Sequence, residues 1–189
     1  MDGEIVNRVA ASKLVTIDLE DFYPPGERVA IDLKDWLYEG LVLREKEFRN
    51  AVQAHDWSAY KGKYAAVNCS TDAIVPSWAY LLVTISLAPY AKKVVIGSLE
   101  LLESHLYESI IDSLPLDPYK DRPVIIKGCS EKNIPETAYA LLVSHLLPVA
   151  GSLMYGEACS SVPLYKKKKS KWSLNGCQIK RMRVLSLMR

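Results

Sequence analysis

Short apolar runs separated by helix-period segments set the pattern of this chain. Leu14 to Leu19 and Val29 to Leu33 are β-rich runs on either side of DFYPPGER, whose Pro24, Pro25 and Gly26 are turn residues. The pattern predicts a strand–turn–strand hairpin there, preceded by an amphipathic helix over residues 4–12 with Ile5, Val6, Val9 and Ala10 on one side. Residues 44–55 place Phe48 and Val52 on one helical face, with His55 near the end. Tyr64–Asn68, Lys93–Gly97, Val124–Lys127 and Ser152–Tyr155 are short apolar runs that suit buried strands. Helices are predicted over 77–90, 99–114 and 135–147.

The central stretch occurs twice. Residues 64–98 and 123–157 align with Cys69 against Cys129 at an offset of 60. Pro76/Pro135, Ala79/Ala138, Tyr80/Tyr139, Leu82/Leu141, Pro89/Pro148, Ala91/Ala150 and Gly97/Gly156 follow at an offset of 59. Each copy reads strand, polar loop, helix, strand, which is a right-handed βαβ unit. The expected fold is α/β: internally duplicated βαβ units forming one mainly parallel sheet of four core strands flanked by helices, with an N-terminal hairpin-and-helix cap. The corresponding organisation is 1–60 as the cap, 61–165 as the duplicated core and 166–189 as a basic, disordered tail.

Charge sharpens this division. Nine Lys/Arg and no acid lie in residues 166–189, so a chain of net charge +2 leaves its first 165 residues at −7 (2 − 9). That acidic body disfavours nucleic acid as its partner. No apolar run is long enough to span a bilayer, and MDGEIVNRVAASK lacks the form of a secretory leader. A cytoplasmic protein is expected, with its four cysteines reduced.

Three Cys-Ser pairs carry the candidate chemistry: Cys69-Ser70, Cys129-Ser130 and Cys159-Ser160. Each follows a predicted strand, and ligands of parallel sheets bind outside the carboxyl ends of the strands. Two precede helices, whose N-termini favour thiolate. Three thiolates from separate loops can hold zinc or an iron–sulfur cluster with one position open, and Asp72, Glu131, Glu157 or His55 is available as a fourth ligand. No CxxC pair accompanies them. Against this stands the bland reading, in which small Cys and Ser residues fill tight strand–helix loops. The alternative function is a metal-free module binding a small anion or a partner protein, with Ser70, Ser130 and backbone N–H groups as contacts. Tyr80 and Tyr139, one to two turns into their helices, suit the core, with a cleft-lining hydroxyl as the other option. His105 and His145 fall among Leu and Val on helices, and Asp18 and Asp32 near strand ends read as turn acids.

The segments EIVNRVAASKLVTIDLEDFYP, IDLKDWLYEGLVLREKEFR, DAIVPSWAY, KGCS and MYGEACSSVPLYKKK together resemble an uncharacterised bacterial family, the domain-of-unknown-function family 2480, over residues 4–168. The resemblance implies no established activity and no catalytic residue. It does imply a link to iron–sulfur cluster assembly, because genes of that family often neighbour sulfur-mobilisation genes; iron–sulfur assembly proteins are then the expected partners. Quinolinate synthase, whose repeated α/β units hold one cluster with loop cysteines, is similar in architecture alone.

Overall fold

The computed structural model describes residues 13–128, 131–157 and 159–168. The helix expected over 4–12 and the tail beyond Lys168 lie outside them.

The described residues form seven strands and four α-helices, in the order β1 (Val15–Ile17), β2 (Arg28–Asp32), α1 (Glu45–Ala54), β3 (Tyr64–Asn68), α2 (Ser77–Leu87), β4 (Lys93–Ile96), α3 (Leu99–Asp112), β5 (Pro123–Ile126), α4 (Glu136–Leu146), β6 (Ser152–Glu157) and β7 (Ser160–Lys166). They form two sheets, not one. The first has the order β1-β5-β6-β7 and the second β2-β3-β4. All pairings are parallel except β6 with β7.

The expected N-terminal hairpin is not formed. β1 pairs with β5 in one sheet, and β2 pairs with β3 in the other. The reason lies in the residues flanking the Pro-Pro-Gly turn. Ile17 and Leu19 are buried in one core with Val124 and Ile126, whereas Ile31 and Leu33 are buried in another with Ala65 and Val67. A two-strand hairpin would satisfy the backbone of both strands but leave these side chains little apolar surface to cover. β1 and β2 are therefore each built into one of the two sheets.

α3 divides the molecule. Leu102 and Leu106 pack on Ala66 and Val95 of the three-stranded sheet. Tyr107 and Ile111 enter the core of the four-stranded sheet with Leu142 and Leu146 of α4. The Ser98 hydroxyl caps this helix by accepting from the Leu101 N–H.

Glu103, also on α3, is the buried charged residue among those described, at 5% exposure. It pairs with Arg28 at the start of β2. Burial alone would lower the Arg28 pKa, yet the Glu103 carboxylate beside it raises it, so Arg28 stays charged. Arg28 also donates to the carbonyls of Pro24 and Gly26 and lies over the Tyr23 ring. Removing one partner leaves the other charge buried. Glu103→Ala is expected to destabilise the fold by about 3–5 kcal/mol in urea unfolding, more than Glu103→Ala combined with Arg28→Ala.

Candidate functional site

Each sheet gathers loops at the carboxyl ends of its parallel strands, and the two rims are built alike. β1 runs into Ile17-Asp18-Leu19-Glu20-Asp21-Phe22 and β2 into Ile31-Asp32-Leu33-Lys34-Asp35-Trp36. In each, the aspartate caps a short 3-10 turn by accepting the N–H two residues on, from Glu20 and from Lys34. Each then reaches across to the neighbouring strand. Asp18 accepts from the Lys127 ammonium at 2.7 Å, just beyond β5. Asp32 accepts from the backbone N–H of Ser70 at 3.0 Å, just beyond β3. In sequence these aspartates read as turn acids or as an acidic patch beside a site. The signal that identifies them is the I-D-L-x-D-aromatic motif, repeated at a spacing of 14 residues.

The rim of the three-stranded sheet holds Cys69, Ser70, Asp72 and Tyr80. Cys69 is half-buried against the core, its Sγ 3.4 Å from Thr71 Oγ1, and the Thr71 hydroxyl donates to the Gly40 carbonyl. Burial first, then Cys69 and Asp32, push the Tyr80 pKa up, so the phenol stays neutral. Asp72 is exposed. Because Asp32 already occupies the Ser70 N–H, that group is not open to an external anion. Burial would raise the Asp32 pKa, but hydrogen bonds from Ser70 and Lys34 hold it below the usual carboxylate range.

The rim of the four-stranded sheet gathers more of the candidates. Glu157 ends β6, Cys159 and Ser160 are exposed in and after the β6–β7 turn, and Glu131 is exposed ahead of α4. Tyr139 of α4 meets Tyr155 of β6 edge-on, with centroids 5.8 Å apart. Cys129 and Ser130 lie outside the described residues. Their neighbour Gly128 packs so tightly that a Cβ there would come within 2.6 Å of Tyr155 Cζ, and the Tyr155 hydroxyl donates to the Gly128 carbonyl. The Lys127 pKa is raised by the hydrogen bond to Asp18 and by the charges of Asp18, Glu157 and Glu20. The Lys132 N–H is taken by Glu20 Oε1 at 2.7 Å, as the Ser70 N–H is by Asp32.

The two rims point to different ends of the molecule. Lys132, on the loop before α4, lies 5.8 Å from the Tyr23 ring, and Arg28 lies 4.1 Å from the same ring. Arg28 opens β2, whereas Asp32 closes it beside Asn68 and Cys69. Four strand steps of ~3.3 Å separate those ends, roughly 13 Å. Cys69 and Cys159 thus end up on different sheets.

Among the described residues no three His, Cys, Asp or Glu side chains converge to hold a metal. On the four-stranded rim the described residues offer the Cys159 thiol and the Glu157 carboxylate, both of them donors that zinc and iron accept. His55 is enclosed by Trp36, Trp57 and Tyr60, and its Nε2 is 2.9 Å from the Tyr60 hydroxyl, so it takes part in an aromatic cluster. His145 Nε2 contacts the Leu114 carbonyl, and His105 pairs with Glu108.

These features define an α/β protein with two mainly parallel sheets whose polar groups collect at strand carboxyl ends. Among the described residues no helix is long and apolar enough to cross a membrane. The chain belongs to the family described as protein of unknown function DUF2480, which matches residues 3–167. No curated protein and no solved structure matches it.

The depressed Asp32 pKa gives a signed expectation. Stability from this carboxylate is present above its unfolded value of about 3.9 and is lost as pH falls through the lower folded value. Asp32→Asn should weaken the fold at neutral pH by about 1 kcal/mol and flatten the acid limb of its stability profile, as read by urea midpoints across that range.

Proposed function

We propose that this chain is a metal- or iron–sulfur-binding accessory protein of cluster assembly, working in the cytoplasm with its thiols on the rim of the four-stranded sheet. One observation carries the reading. Cys159 and the loop that contains Cys129 follow β6 and β5, which are adjacent hydrogen-bonded parallel strands. Neighbouring strand ends of this kind are where parallel sheets bind ligands. Glu157 is the carboxylate donor beside them, and Cys69 has a structural role in the other sheet. Zinc or an iron–sulfur cluster would be held by Cys129 and Cys159, with a position left for a ligand from an assembly partner.

The same reading treats the molecule as a duplication. β3-α2-β4 and β5-α4-β6 each pair their strands in parallel with partners 29 residues apart (Tyr64 with Lys93, Pro123 with Ser152). Each is joined by an I-D-L strand from the N-terminal part. In this view the ancestral unit was strand–strand–helix–strand, and only the second unit kept two cysteine loops on its rim.

A second reading, a metal-free module that binds a partner protein, is favoured by Ile74, 92% exposed beside the exposed Leu41 and Val42. Its small-anion variant finds less support, since Asp32 and Glu20 occupy the loop N–H groups it would use.

Anaerobic purification followed by Fe, Zn and sulfide analysis separates the two. The metal reading expects bound metal, reduced about tenfold or more in Cys129→Ser and in Cys159→Ser and retained in Cys69→Ser. Wild-type protein that stays metal-free after reconstitution would sink it. Equal loss in Cys69→Ser would instead restore a three-thiolate arrangement.

A further inference from the structure

Among the described residues strand β4 has no partner on one side. It is the last strand of the order β2-β3-β4, and its open edge lies in a groove lined by Leu81 and Thr84 of α2, by Lys93 to Ile96 and by His105 of α3. The flanking surface is apolar. Ile85 is 69% exposed, Leu81 54%, Ile96 47% and Leu101 42%. The sequence of α2, SWAYLLVTISL, contains no charged residue.

The other sheet provides an internal comparison. Its strand β6 stands in the same register to β5 as β4 does to β3, and there the corresponding edge is covered: β7 pairs with it antiparallel over Ser152–Glu157. At the offset of 59, Leu81 and Ile85 correspond to Ala140 and Ser144. The sheet whose edge is covered thus has small residues on its helix where the sheet with the bare edge has large aliphatic ones. Solitary edge strands are usually blunted by an outward charge or a proline. β7, an outer strand of its own sheet, contains Pro163 and Lys166. The only charged side chain of β4 is Lys93, and its ammonium is turned back to donate to the His105 carbonyl at 3.0 Å. Nothing on β4 itself opposes a second strand.

We propose that a second copy of this chain covers this edge, β4 pairing antiparallel with β4 about a two-fold axis perpendicular to the sheet. The result is one six-stranded sheet. The same axis brings α2 against its counterpart, so Leu81 and Ile85 of each copy cover those of the other, and Leu101 meets the partner's α3 on the opposite face. Self-pairing is suited to this surface because α2 sets no like charges against each other and Lys93 is already engaged. The contact is isologous and closed, so it stops at a dimer.

Sedimentation velocity of the full chain from about 1 to about 100 µM tests this. The expected species is a dimer, twice the 21.2 kDa chain mass. Leu81→Glu with Ile85→Glu should raise the dissociation constant at least about 100-fold, and Leu81→Ala with Ile85→Ser, which copies the other unit, about tenfold. Both pairs are exposed, so circular dichroism should be unchanged. Amide exchange over 93–96 should slow with protein concentration in the wild type. A wild type that is monomeric throughout, whether or not its β4 amides are protected, would overturn the proposal, as would a dimer that neither variant weakens. Metal content plays no part in these readings, so they stand or fall apart from the thiol site.

Discussion

The arrangement of the two sheets depends on one helix serving two cores. α3 turns Leu102 and Leu106 to one sheet and Tyr107 and Ile111 to the other, and Glu103 between them anchors β2 through Arg28. A buried ion pair adds little net stability over an apolar pair of similar size, but separating Arg28 from Glu103 would leave a buried charge without its partner, which penalises a displaced β2. The Tyr107 hydroxyl adds a second such constraint by donating to the Leu19 carbonyl just beyond β1. One helix thus holds the ends of both N-terminal strands.

That constraint explains why the rims diverge. With the four-stranded rim facing Tyr23 and Arg28, the carboxyl end of the three-stranded sheet must face away along β2. Loops alike in sequence therefore sit in different surroundings. At one, Asp32 meets a backbone N–H and the half-buried Cys69. At the other, Asp18 meets Lys127 among Glu20 and Glu157, with Cys159 in the open. Similar sequence has supplied two settings: Cys159 is exposed at one rim, while Cys69 packs half-buried at the other.

The edges diverge in the same way. One sheet closes its outer strand with β7; the other leaves β4 bare between apolar helix faces. Exposed aliphatic residues are ordinary when scattered. Here Leu81, Ile85 and Leu101 lie with Ile96 along the one edge of β4 that has no partner among the described residues, and that concentration gives the surface its meaning.

Much of this was legible in the chain. The strands from Tyr64 to Tyr155, the helices between them and their parallel pairing follow from apolar periodicity and turn residues, which act locally; β7, which pairs antiparallel beyond them, was not among the strands expected. The Pro-Pro-Gly turn was equally visible, yet it joins strands of different sheets, because backbone turn chemistry says only that the chain bends and not what each arm will bury. The partnership of Asp18 with Lys127 and of Asp32 with Ser70, and the placing of the two rims at opposite ends of β2, likewise needed the fold. Sequence determines which residues seek burial or a partner; which of two available cores receives them is a competition between distant surfaces, and only the packed structure resolves it.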